Sequence, residues 1–136
     1  MNVKFEKEIN ISTRYRTEFL DITQKISLVV KESKIEDGIC YIYVPHTTAG
    51  LTINENADPS VVKDIIKKLN TLVPENESYS HMEGNSDSHI KATLTGNSLT
   101  IFVSGNKLKL GTWQGIYFCE FDGPRNRVVW IKIIEH

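Results

Sequence analysis

The C-terminal third of the chain contains two strong β runs, residues 113–122 and 126–134, joined by the turn sequence Asp122-Gly-Pro124. Both runs are almost continuously apolar over 113–121 and 128–134, a pattern typical of strands that are covered on both faces. A second layer, helices or another subunit must therefore pack on each side of them. With 136 residues the chain is too short for a β/α barrel, which takes about 250 residues.

Two segments have the apolar spacing of amphipathic helices. The first follows a predicted N-cap at Asp21. Its apolar residues are Ile22 and the residues four, seven and eight positions later, Ile26, Val29 and Val30. The second begins at Asp58-Pro59, with Asp as cap and Pro in the first turn. It should end before Pro74, and its apolar stripe comprises Val62, Ile65, Ile66, Leu69 and Val73.

Shorter β-rich segments occupy the rest of the chain. We predict strands over residues 3–11, 38–46, 51–53, 98–104 and 107–110, with a turn at Gly105-Asn106. The charged stretch 14–18 is predicted to pair back onto the opening strand, 75–88 to form a polar loop, and 90–95 a short helix or strand. Together these elements predict one α+β domain over 1–136, a two-layer antiparallel or mixed β-sandwich with two main helices.

Charge and hydropathy exclude several classes of partner. The net charge is −1, so we expect no nucleic-acid surface and no attraction to an anionic membrane. The longest apolar run, residues 39–44, is far shorter than a membrane span, and the N-terminal residues do not resemble a secretion signal. We expect a cytoplasmic protein in which Cys40 and Cys119 are buried, reduced thiols.

Polar residues are concentrated where strands end. His46 ends one predicted strand, Glu55 ends the next, and His81 and His89 lie in or beside the polar loop. Three imidazoles could bind zinc and leave one position open for chemistry. No H-E-x-x-H or paired-cysteine signature supports a metal, and histidines that hydrogen-bond locally are the alternative.

Two further kinds of chemistry are consistent with these residues. Glu55 or Glu83 could orient a histidine for acid–base catalysis, although loop carboxylates are usually just solvated. Lys91, Arg125 and Arg127 could bind a phosphate, although a charged β-turn is the favoured explanation of the two arginines. Trp113 and Gln114, between two glycines, could contact a ligand or simply begin a strand, and no glycine-rich loop indicates a nucleotide cofactor.

Four segments taken together resemble the YjbQ-like family, whose members are described as secondary thiamine-phosphate synthase enzymes. The segments are Pro45-His-Thr-Thr-Ala49 with Asn54-Glu-Asn56 and Asp58-Pro59; His81-Met-Glu-Gly-Asn85 with Ser88-His-Ile-Lys91; Gly111-Thr-Trp-Gln-Gly115; and Phe121-Asp-Gly-Pro-Arg125. They occur in order over most of the chain.

The resemblance implies a homotrimeric α+β protein with a β-sandwich. It also implies that His46, His81 and His89 share a polar pocket with Glu55, Glu83 and Asn85. The implied reaction couples hydroxymethylpyrimidine diphosphate to thiazole phosphate and releases pyrophosphate.

In that reaction a divalent metal would bind to the histidines and stabilise the charge of the leaving group, together with Lys91 or Arg125. The metal would be zinc, or else magnesium or manganese bound with the diphosphate. Trp113 would contact the rings, with Gln114 and Asn85 as further binding residues. A metal-dependent hydrolase of unknown substrate and a non-catalytic metal- or anion-binding protein are the alternatives.

Overall fold

The computed structural model describes residues 3–136, which form eight strands and three helices. In chain order these are β1 (Lys4–Ser12), β2 (Glu18–Asp21), α1 (Thr23–Ser33), β3 (Gly38–Tyr43), β4 (Ala49–Glu55), α2 (Pro59–Leu72), α3 (Ser86–Thr95), β5 (Ser98–Ser104), β6 (Lys107–Leu108), β7 (Gln114–Glu120) and β8 (Asn126–Glu135). The strands form a five-stranded sheet, β1-β8-β3-β5-β6, and a three-stranded sheet, β2-β7-β4. All strand pairs between these elements are antiparallel, so the predicted α+β sandwich is confirmed in its antiparallel form.

The main core lies among both sheets and α1. Inward residues of the two sheets, such as Ile131 and Phe118, pack with Ile26 and Val30 of α1. The other face of the three-stranded sheet is covered by residues of α2 and α3. Strand β7 is therefore buried on both faces, as its apolar run predicts.

Strand β8 alternates instead, so within one chain only its inner face is covered, and the predicted cover of its outer face by another subunit stays a prediction. Its inward residues are buried, whereas Trp130 and Lys132 are exposed on the outer face of the five-stranded sheet. The outer position of Trp130 contributes to an aromatic surface with Tyr43, whose ring stacks on it at 5.8 Å between centroids.

Helices α1 and α2 begin at or within one residue of the positions that their predicted capping residues indicate. The Asp58 carboxylate accepts from the Ser60 amide at 2.9 Å, which confirms the predicted start of α2. At α1 the cap position belongs to Ile22, while the Asp21 carboxylate accepts from the Thr23 amide at 2.9 Å. The predicted cap is thus one residue early, although Asp21 still satisfies a helix donor.

Two expectations from the sequence are wrong. The segment after residue 14 does not pair with β1, because β2 joins β7 in the other sheet. The segment 86–95 is a third helix that begins within the predicted polar loop, and so His89 is helical. Among the described residues no helix is long and apolar enough to cross a membrane.

Candidate functional site

Three connecting segments line a polar cavity of about 470 Å³ that is open to solvent, here called the histidine cavity. They are the segment after β3, the segment that leads into α3, and the turn between β7 and β8. The lining residues are Pro45, His46, Thr47, Thr48, His81, Glu83, Asn85, His89, Asp122, Arg125 and Arg127. The volume is in the range of small-molecule sites, and the three predicted histidines all lie here.

His46 is fixed by the backbone of β8. The Val128 amide donates to His46 Nε2 at 3.0 Å, so this nitrogen is unprotonated and Nδ1 carries the proton of the neutral ring. Burial and the nearby Arg127 charge lower the pKa of His46 below its ordinary value of 6.5. His46 is therefore a neutral side chain with one N–H donor at neutral pH.

His81 and His89 lie next to each other in the lining of the cavity. Their rings meet edge to face with centroids 5.5 Å apart. His81 Nε2 lies 3.9 Å from a Glu83 carboxylate oxygen, and both side chains are exposed to solvent. The pair thus offers imidazole groups, beside one carboxylate, to a ligand entering from solvent.

Asn85 supplies an unusual group. Its amide nitrogen donates to Asp122 Oδ2 at 2.9 Å, whereas its amide oxygen is buried and has no hydrogen-bond partner. Of the buried side-chain oxygens and nitrogens that the structure describes, only this one is unpartnered. A buried acceptor without a donor is energetically unfavourable, and only a donor that reaches this covered oxygen would satisfy it.

Asp122 is bonded from a second side as well. Arg125 donates to Asp122 Oδ2 at 2.8 Å and to its main-chain oxygen at 2.7 Å. Burial favours a higher pKa for Asp122, but the hydrogen bonds from Asn85 and Arg125 outweigh it and lower the pKa below 3.8. The negative charge at this wall of the cavity is therefore compensated.

A buried ion pair lies beneath the cavity. Arg127 donates to both carboxylate oxygens of Glu120 and to Thr48 Oγ1, the last at 2.9 Å. Thr13 and the Asp122 amide also donate to Glu120, at 2.8 and 2.9 Å. The pair connects β7, β8 and the segment after β3, and so holds together the segments that carry the cavity residues.

The structure places four predicted residues away from the cavity. Glu55 lies at the end of β4, six residues and about 20 Å from the end near His46, opposite Gln114 in the β4–β7 ladder. Trp113 is largely exposed beside Gln114, whose side chain accepts from the Gly111 amide at 2.7 Å. Lys91 is buried on another face of α3. Among the described residues that line the cavity none of these four is found, and their roles stay predictions.

The histidines do not form a metal-binding set as placed. His46 Nε2 already accepts from Val128, and within residues 3–136 no three His, Cys, Asp or Glu side chains are grouped to hold an ion. Metal binding at these histidines therefore stays a prediction that this arrangement does not favour.

Sequence reasoning missed Asp122, Thr48 and the burial of Arg127. Arg127 was expected to be an exposed residue of a charged β-turn, but its side chain is buried and only 5% of the residue is exposed. The available signal was Glu120, a carboxylate inside an apolar β run, because such a charge requires a buried partner.

Comparison with known proteins agrees with the fold. Residues 7–136 match the family model described as UPF0047 protein YjbQ-like. The UPF0047 protein MJ1081 of Methanocaldococcus jannaschii is 56% identical over 132 residues, covering 97% of this chain and 96% of that protein. YugU of Bacillus subtilis is 49% identical over 129 residues, covering 94% and 98%.

Solved structures share the architecture. An uncharacterized YjbQ/UPF0047 family protein of Clostridium acetobutylicum has a TM-score of 0.91 and 52% identity, covering 93% of this chain and 98% of that one. A YbjQ-like protein of unknown function from Sulfolobus solfataricus has a TM-score of 0.95 and 32% identity, and the match covers both chains completely. These names state no activity.

Proposed function

We propose that this chain, which belongs to the YjbQ-like UPF0047 family, is an enzyme that binds a small phosphorylated molecule in its histidine cavity. The cavity residues include the neutral N–H donor of His46, the Arg125 guanidinium group and the buried amide oxygen of Asn85. That combination suits a ligand with phosphate oxygens at one end and a hydrogen-bond donor at the other.

The specific reaction that we propose is the formation of thiamine phosphate. The thiazole nitrogen attacks the methylene carbon of hydroxymethylpyrimidine diphosphate, a C–N bond forms, and the C–O bond to the diphosphate breaks. Pyrophosphate leaves with the bonding electrons. The protein's part is to align the two reactants and to stabilise the charge that develops on the leaving group.

The unpartnered oxygen of Asn85 is the observation that carries the proposal. The aminopyrimidine has an amino group that could donate to this oxygen, whereas a simple phosphate has none. His46 Nδ1–H and the Arg125 guanidinium, both on cavity-lining side chains, could donate to diphosphate oxygens. Because Arg125 also binds Asp122, a phosphate would share it rather than meet a free cation.

The test is a direct assay for thiamine phosphate by mass spectrometry after incubation of the purified, untagged protein with both precursors. The variants are His46→Ala, His81→Ala and Asn85→Ala, and His136→Ala is the matched control because His136 lies at the C terminus. Each variant must melt like a folded protein before its activity is compared. We expect product with the wild type and His136→Ala, and a loss of at least about tenfold with the others.

Parallel reactions with chelator, zinc, magnesium or manganese measure the predicted metal dependence. Release of pyrophosphate or phosphate without coupling would favour the hydrolase instead. Binding of both precursors without any turnover would favour the non-catalytic alternative.

We also propose a homotrimer. The outer face of the five-stranded sheet exposes Tyr41, Tyr43, Phe102 and Trp130, a large aromatic surface for a monomer. Sedimentation equilibrium should give three times the chain mass for the wild type. Trp130→Lys should shift the equilibrium toward the monomer, and Leu28→Lys, at an exposed position of α1, is the control. A monomeric wild type would refute the proposal.

A further inference from the structure

Most of the residues that helix α3 buries are polar rather than apolar. Its buried residues are Asp87, Ser88, Lys91 and Ala92, of which only the last is apolar. Such burial is unusual, because charged side chains are seldom fully buried and lose hydration when they are.

The buried charges form a connected cluster. Lys91 Nζ donates to Asp87 Oδ2 at 3.0 Å and to Asn70 Oδ1 of α2 at 2.8 Å. Arg16, which precedes β2, donates to Asp87 Oδ1 at 3.1 Å and forms an ion pair with Glu75 at 3.2 Å. The cluster thus joins α3 to α2 and to the segment before β2.

The same short helix carries cavity residues. Asn85 occupies the N-cap position two residues before Asp87, and His89 lies between Asp87 and Lys91. Asn85 and His89 line the histidine cavity, whereas Lys91 lines a different cavity with Arg16 and Asn70. Any rotation or shift of α3 would therefore move both cavity residues together.

Replacing a buried ion pair by apolar residues of similar volume is often neutral or stabilising. Stability alone therefore does not explain why α3 has charges here. Ion pairs and hydrogen bonds require particular directions, whereas apolar contacts allow a helix to slide or rotate. A polar cluster consequently fixes the position of α3 more narrowly than an apolar contact would.

We propose that Asp87 and Lys91 are positioning residues, which set the rotation and depth of α3 and thereby place Asn85 and His89 in the histidine cavity. The proposal rests on the proposed function only in taking this cavity as the ligand site. Lys91 then acts on a phosphorylated ligand through the helix and not by touching it.

The test is the double variant Asp87→Leu/Lys91→Met, which replaces the pair by apolar residues of similar size. The control is Lys7→Met/Glu32→Gln, which removes an exposed ion pair of 2.6 Å far from the cavity. Three quantities are measured: the melting temperature, the imidazole proton resonances of His81 and His89 in NMR spectra, and the affinity for inorganic pyrophosphate.

We expect the double variant to melt at or above the wild-type temperature, with shifted resonances of both histidines. Its pyrophosphate affinity should fall at least about tenfold, since a misplacement of 1 Å can cost about a hundredfold in activity. Wild-type resonances in the double variant would overturn the proposal, and so would unfolding, which would show that the pair is needed for stability. If the wild type binds no pyrophosphate, the proposed function fails, and the resonances still test the positioning role.

Discussion

Removing the Arg127 charge should leave Glu120 buried without its main partner. Glu120 is fully buried, and Arg127→Met keeps most of the side-chain volume while deleting the hydrogen bonds to Glu120 and Thr48. Breaking a buried ion pair on one side typically costs about 3–5 kcal/mol. For a chain of this size that corresponds to a fall in melting temperature of roughly 12–20 °C.

The loss of stability in Arg127→Met should be smaller at low pH than at neutral pH. Burial favours a higher pKa for Glu120, but hydrogen bonds from Arg127, the Asp122 amide and Thr13 outweigh it and lower the pKa below 4.5. In the wild type this contribution to stability is present above pH 4.5 and is lost as the pH falls through the folded-state pKa. Without Arg127 the effect of burial dominates and raises the pKa of Glu120. Protonation of Glu120 at low pH then removes the buried charge.

Urea unfolding at pH 7 and at pH 4 measures both effects. The free-energy deficit of Arg127→Met should be largest at pH 7 and should narrow at pH 4. Lys7→Met is the control, because the exposed pair Lys7–Glu32 should contribute at most about 1 kcal/mol. A deficit of Arg127→Met that equals the control, or that does not change with pH, would refute the reasoning.

Three smaller predictions concern local contacts. His46→Ala leaves the Val128 amide without its acceptor and should cost about 1–2 kcal/mol in urea unfolding. Because its pKa is lowered, the wild-type His46 contribution should be complete above pH 6.5 and decline below it, and the variant should lack that decline. Asp58→Ala removes the cap of α2 and should cost about 1 kcal/mol; an unchanged unfolding midpoint would contradict it. Gly38→Ala places a Cβ 2.1 Å from the Ile134 main-chain oxygen, so thermal melting should show a loss of about 1–3 kcal/mol or more.

The parts of the fold that follow local rules could be predicted from the sequence. The start of α2 rests on the Asp58 cap, which bonds to Ser60 two residues away, and β7 belongs to a nearly continuous apolar run that is buried on both faces. The similar run of β8 is covered on one face only within the chain, so the apolar pattern alone does not decide burial. Helix α3 could not be predicted in full, because the residues it buries include Asp87 and Lys91, which a sequence pattern assigns to solvent. Their partners Asn70 and Arg16 are distant in sequence.

The histidine cavity was likewise predicted only in part from the sequence. A histidine at a strand end and two in or beside the polar loop led to the prediction that His46, His81 and His89 come together, and all three line one cavity. The state of each ring depends on contacts that only the tertiary structure provides. Val128 lies 82 residues from His46, and its amide decides which nitrogen of His46 carries the proton. The sequence therefore identified the three histidines, but neither Asp122 and Thr48 of the same cavity nor the atoms that each ring offers.

These contacts together limit how the cavity can recognise an anion. Arg125 compensates Asp122, and Arg127 compensates Glu120, so neither arginine provides a free positive charge. His46 is neutral at neutral pH because its pKa is lowered. A phosphorylated ligand would consequently be bound by directed hydrogen bonds more than by net charge. Such binding requires exact placement of the donors and of the Asn85 oxygen, which explains why the position of α3 matters to the site.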